Sequence, residues 1–274
     1  MQRLVFLIIC AIFTSPVSAL TVLLYDGALG TTPDQQAWIP AGIPNPPAVT
    51  PAHNGQGVVI DTAASSSDTF GYFSEDPFTG TFLINPNMPV IDRAENFSIE
   101  FQLQVISEAH QNINRAGFSV IVISQDLQGI EISFFEDEIW AQGVGFVKQE
   151  SVARNTQNFA YYRIVATEQS YTLQARASEG ENYSNILTGP WRNYNPTGIN
   201  VLRDPYNNPS FLFFGDNTTS AAGAVVLGDI RMVTGPLPEP AEVVTVPYPA
   251  VMVFLFGIFL IAIGLSMATD FKRE

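Results

Sequence analysis

Phe97, Ile99, Phe101, Leu103 and Val105 alternate with Ser98, Glu100, Gln102 and Gln104. An apolar residue at every second position predicts a strand with one buried face and one wet face. Gly129 to Phe135 repeats the pattern, with Ile130, Ile132 and Phe134 set against Glu131, Ser133 and Phe135. Ala116 to Ser124 is a nearly continuous apolar run, as in a sandwich-core strand. Further strands are predicted at 21–25, 58–61, 70–74, 143–148, 161–167, 171–176, 210–214 and 224–233. Turns containing Gly, Asn, Asp and Pro separate them. The Pro- and Gly-rich stretch from Thr32 to Asn54 reads as a long surface excursion. No soluble helix and no internal repeat is predicted. Many short strands without helices argue for an all-β fold, a two-sheet antiparallel jelly-roll sandwich.

The two ends break this pattern. Met1-Gln2-Arg3, an apolar run from Leu4 to Phe13 and then Val17-Ser18-Ala19 follow the order of a secretory signal peptide, predicting cleavage after Ala19. A buried N-terminal helix is the competing reading. Ala250 to Ala268 has no charged residue and is just long enough to cross a hydrocarbon core of about 30 Å. Lys272 and Arg273 follow, and positive charge after a span predicts a cytoplasmic tail. The expected organisation is thus a signal peptide at 1–19, a sandwich at 20–234, a Pro-rich linker at 235–249, a transmembrane helix at 250–268 and a short tail at 269–274.

The last 35 or so residues resemble the PEP-CTERM class of sorting signals. Val246-Pro247-Tyr248-Pro249-Ala250 is similar to the VPLPA variant, and Pro238-Glu239-Pro240 supplies a PEP triplet. The resemblance implies a membrane association and an exosortase-type processing enzyme as partners, with a plain membrane anchor as the alternative.

Charge narrows the partners. Setting aside Arg3, Lys272 and Arg273 leaves 9 of the 12 basic residues between the apolar segments; setting aside Asp270 and Glu274 leaves 24 of the 26 acids. A portion carrying about −15 repels nucleic acid. The only cysteine, Cys10, lies in the N-terminal apolar run, so a chain cut after Ala19 has neither disulfides nor thiol chemistry. With only His53 and His110, a multi-histidine metal site is excluded.

The order of features also resembles concanavalin-A-like lectin and glucanase domains. The stretch 97–139 reads like their central strands, and Phe211-Leu212-Phe213-Phe214-Gly215-Asp216 with 225–233 like their closing ones. Laminarinase-like glycoside hydrolases of that fold carry a Glu-x-Asp-x-x-Glu strand, to which Glu131-Ile132-Ser133-Phe134-Phe135-Glu136 is similar. The resemblance would make Glu131 and Glu136 the nucleophile and acid/base, about 5–5.5 Å apart on one concave face. Ser133 stands where the middle acid belongs, and a serine cannot supply the charge that separates the two carboxylate pKa values. Binding without catalysis is therefore the expectation, and hydrolysis the alternative.

Trp140 is the best aromatic candidate to stack on a sugar, with Trp38 and Trp191 behind it; core packing competes for each. Glu136, His110, Arg115 and Asp216 complete the expected ligand-binding set. Asp137, Glu138 and Asp216 are candidate oxygen ligands for calcium, against a solvated hairpin turn. Asn96, Asn182 and Asn217 begin glycosylation sequons that matter only in a eukaryotic secretory route. The expected partner is a polysaccharide or another surface component, with a purely structural exoprotein as the rival.

Overall fold

The structure is a computed structural model, and it describes residues 19–44, 47–76, 85–194 and 205–235. The expected signal peptide before Ala19, the 250–268 span, the sorting motif and its linker beyond Gly235 lie outside the described residues. Among the described residues the chain forms β1 (Leu20–Tyr25), β2 (Ile39–Ile43), β3 (Ala52–His53), β4 (Val58–Asp61), β5 (Thr69–Phe73), β6 (Phe97–His110), β7 (Ser119–Ile123) and β8 (Gly129–Phe134). It continues with β9 (Glu138–Gln142), β10 (Lys148–Ala153), β11 (Ala160–Ala166), β12 (Ser170–Arg176), β13 (Ser184–Pro190), β14 (Phe211–Asp216) and β15 (Ala221–Thr234). The helical turns among these residues are short 3-10 segments, and no helix there is long and apolar enough to cross a membrane.

The strands pair antiparallel in two sheets. The larger runs β13-β12-β11-β6-β15-β4-β3, and the smaller β10-β9-β8-β7-β14-β5-β2. The 14-residue β15 is the spine of the larger sheet. Its first half pairs with β4, and its second half takes β1 along the same edge, with Leu20 opposite Thr234.

The two sheets explain the two sequence patterns. In the larger sheet the alternation is clean: β11 and β12 bury every second residue, and β6 turns Phe97, Ile99, Phe101, Leu103 and Val105 into the core. In the smaller sheet β7, β8 and β14 are buried on both faces. One face meets the larger sheet; the other lies beneath Tyr194, Tyr206, Leu127 and Phe146. A strand covered twice has no wet face, and β7 and β14 accordingly read as continuous apolar runs; β8 alternates in sequence, but the side expected to be wet is buried too, Glu131 and Ser133 included. Phe101 sits at the centre of the core, with the rings of Phe134, Tyr162 and Phe214 at 6.0, 5.6 and 5.5 Å.

Two sequence expectations fail here. Of the strand expected at 143–148, only Lys148 is in one, as the first residue of β10; residues 143–147 turn the hairpin between β9 and β10, where Gly143 N donates to Val147 O at 2.7 Å. Gly145 and Phe146 both take the left-handed conformation that such a loop requires. Thr32–Asn54 is no mere surface excursion: it contains β2, β3 and the buried Trp38, whose Nε1 donates to Leu24 O at 2.8 Å. Its prolines and glycines mark sheet edges and turns, because Pro lacks the donor that a central strand needs.

Candidate binding site at the end of the sandwich

Glu131 lies on the outer face of β8 and is 1% exposed. Tyr206 Oη donates to its Oε2, and Asn217 Nδ2 donates to its Oε1 at 3.0 Å. Tyr194 Oη closes the site, accepting from Glu131 N at 3.2 Å and donating to Gln142 O at 2.7 Å. Burial, with the nearby Glu131 carboxylate second, raises both tyrosine hydroxyls above their ordinary range. Aromatic side chains thus cover the outer face of β8, where the resemblance implies a carboxylate pair open to substrate. Glu136 belongs to the turn after β8 and shares none of these partners. It accepts from Glu108 N at 3.0 Å and from Gln157 Nε2 at 2.8 Å. The two glutamates therefore do not form a pair in a common groove.

The other predicted residues scatter. Trp140 is fully buried against Phe135 and Ala116, so it offers no ring face to a sugar. Its place on β9 opposite Ser133 turns it onto the covered face. Arg115 stacks on Phe146, its Cζ 4.6 Å from the ring centre, away from Glu136. Asp216 is 1% exposed, accepting from Thr62 Oγ1 at 2.7 Å and Thr218 N at 3.0 Å. Burial pushes its carboxyl up to about 7, more than those two hydrogen bonds pull it back, with Glu108 adding repulsion. The calcium candidates do not assemble either: Glu138 pairs with Lys148 at 2.6 Å, Asp216 is sealed, and Asp137 stands exposed. Among the described residues no three His, Cys, Asp or Glu side chains are grouped to hold a metal ion.

What does assemble is a depression of about 360 Å³ at one end of the sandwich, lined by Glu108, His110, Phe135, Glu136, Asp137, Asn155 and Gln157. Three chain segments build it. The last turns of β6 bring Glu108 and His110, opposite Gly223 and Ala221 of β15. The β8–β9 turn brings Phe135, Glu136 and Asp137. The chain beyond β10 runs alongside that turn, with Arg154 N donating to Asp137 O at 2.8 Å and Thr156 N to Glu136 O at 2.9 Å, and so places Asn155 and Gln157.

His110 lies flat on Phe135, ring centres 4.1 Å apart and planes 12° from parallel. Its Nδ1 is held by Glu108 Oε2 at 2.9 Å, while Glu108 Oε1 accepts from Gly117 N at 3.4 Å. The Glu108 side chain is only 4% exposed. Burial raises its carboxyl above the ordinary range, while the hydrogen bonds from His110 and Gly117 hold it down in part. The imidazole is therefore fixed in orientation from one edge and one face. Around it stand carboxylates and amides that accept and donate hydrogen bonds. Of this cluster, the sequence points to His110 and Glu136 as ligand-binding residues and to Asp137 as an oxygen ligand. Glu108, two residues before His110 on the same strand face, was legible by period two. Asn155 and Gln157 carried no signal, because only the fold brings their loop to this end.

No protein-family model and no curated protein matches the chain. Among solved structures, it is similar to the carbohydrate esterase vb_24B_21 from the Shiga toxin-encoding bacteriophage phi24B, at 10% identity over 79% of this chain and 98% of that chain, with a TM-score of 0.47. It is also similar to the metal-free exoplasmic/lumenal domain of VIP36, at 8% identity over 80% of this chain and 94% of that chain, with a TM-score of 0.44.

Proposed function

We propose that the chain is an exported, surface-attached binding protein whose concanavalin-A-like sandwich engages a polysaccharide without cleaving it. The observation that carries the reading is the His110–Phe135 stack within an open depression. A saccharide needs a flat ring surface for its C–H face and polar groups at the rim for its hydroxyls. His110 is the flat surface; Glu136, Asp137, Asn155 and Gln157 are the rim. Binding rather than hydrolysis is supported by the separation of the two glutamates, one sealed beneath Tyr206 and the other anchored in a turn. Attachment is supported by the charge-free run 250–268 and the sorting-like motif before it.

The test is retention of the full chain, in detergent, on immobilised neutral polysaccharides. His110→Gln keeps a partner for Glu108 but removes the ring. Loss of a stacking contact is expected to weaken retention by about tenfold, with the melting temperature little changed. Failure of the native chain on every polysaccharide, or equal retention of the variant, would overturn the assignment.

A further inference from the structure

Three of the residues that line the end depression are acids, Glu108, Glu136 and Asp137, and the chain does not balance their charge. Glu108 has the His110 imidazole at 2.9 Å. Glu136 is half-buried, and both groups that hold it are neutral: Glu108 N donates to its Oε1 and Gln157 Nε2 to its Oε2. Asp137 stands exposed beside it. Among the described residues, neither Glu136 nor Asp137 has a basic nitrogen within 4.0 Å. The basic side chains on the framing segments are committed elsewhere. Lys148 Nζ pairs with Glu138 Oε2 at 2.6 Å, and Arg115 stacks on Phe146. Arg154, whose backbone N donates to Asp137 O, carries its guanidinium inward, Cζ 5.7 Å from the ring centre of the core residue Tyr162. The same loop presents Asn155 and Gln157 outward.

Two carboxylates on a flat, solvated face would be unremarkable in a chain this acidic. These two share a concavity with a ring plate, and a cleft lined by one sign of charge focuses its field inward. Plate and acid are also tied to each other. His110 lies on Phe135, and the next residue, Glu136, accepts from Glu108 N, so two cross-links join the end of β6 to the β8–β9 turn. Each Glu136 oxygen accepts one of its two hydrogen bonds and can accept another. We infer that the depression takes a protonated amino sugar, its C–H face on His110 and its ammonium against Glu136 and Asp137, as one unit of a polysaccharide bearing free amines. The inference rests on the saccharide reading of this site and names its substrate class. An ammonium brings three donors to carboxylates that only accept, and leaves Asn155 and Gln157 for the hydroxyls. A neutral sugar gains the stack but not the charged contacts, and an acidic sugar is repelled.

Titration calorimetry of the full chain in detergent tests this, at one pH low enough to protonate the amines. The probe is the glucosamine trimer, and the N-acetylglucosamine trimer is its uncharged counterpart. The free-amine trimer should bind about tenfold tighter or more, and added salt should narrow the gap. Asp137→Asn, at an exposed position, should cut affinity for the amine trimer by about threefold. Glu136→Gln, which can still accept from Glu108 N, should cut it by about tenfold. Neither variant should move the N-acetylated trimer by more than about twofold. His110→Gln should weaken both trimers alike, because the ring serves either sugar. Trilysine, which carries the charge without a sugar ring, should bind far more weakly than the amine trimer. No binding of the amine trimer, equal affinity for the two trimers, a preference unaltered in both charge variants, or equal binding of trilysine would each overturn the amino-sugar assignment and leave the saccharide reading standing. Failure of both trimers and of every neutral polysaccharide would sink the two together.

Discussion

Asp216 shows how one buried carboxyl sets the pH response of the fold. In the native chain its proton leaves near pH 7; in the unfolded chain it leaves near 3.8. Between those values the unfolded state has released a proton that the native state keeps, so stability falls as pH rises through the window, by roughly 4 kcal/mol in all. Below about pH 4 the contribution is fully present; above about 7 it is lost. Asp216→Asn mimics the protonated form. Its Oδ1 still accepts from Thr218 N, its Nδ2 can donate to Thr62 Oγ1, and Thr62 can donate onward to Gly223 O, 3.2 Å away. Denaturation midpoints should therefore match the native chain at pH 4 and exceed it at pH 8. A variant whose midpoint declines with pH as steeply as the native chain's would refute this account. Glu108 adds to the repulsion on Asp216 and forms part of the end depression, so the same buried acids lie behind the floor of the candidate site.

That floor depends on how closely two elements approach. Gly117 precedes β7 in the smaller sheet, and a Cβ built on it would stand 2.2 Å from Ala222 C and 2.4 Å from Gly223 N of β15 in the larger. Both are backbone atoms that cannot swing aside. The contact also puts Gly117 N within reach of Glu108 Oε1. Gly117→Ala should force the sheet corners apart and destabilise the fold by a few kcal/mol. It should weaken saccharide retention together with His110–Glu108 pairing, which the His110 ring resonances would report; an unchanged melting temperature would show that the corner is soft. Nothing in the sequence announced this contact, since a glycine before an apolar strand is ordinary punctuation. The strands themselves were legible wherever one physical rule dominated: β6, β11 and β12 by alternation, β7 and β14 by continuous apolar character. β9 was missed because it is buried on both faces, and the edge strands β10 and β13 because they bury too little to carry apolar residues at every second position. Trp140 failed as a site residue for a related reason. Its strand position was readable, but not that the face it occupies is roofed by residues from 116 and 135.

At the scale of the whole molecule, β15 separates two ends of the sandwich. Thr234 pairs with Leu20 and Phe97 at one end; Ala221 pairs with His110 at the other. Fourteen residues of strand put roughly 40 Å between them. The depression therefore lies at the end opposite the point where the chain leaves β15 for the Pro-rich linker. If the sorting reading holds, the mature chain recovered from the envelope fraction should begin near Leu20 and stop near Pro249, and intact-mass measurement reads both limits at once. It should also bind neutral polysaccharide as tightly as the uncut chain, because among the described residues none that lines the depression follows Gln157. A mass that still includes Glu274 would leave the anchor reading in place of sorting. A cut chain that has lost binding would mean instead that residues beyond the sandwich complete the site, and the depression alone would no longer account for recognition.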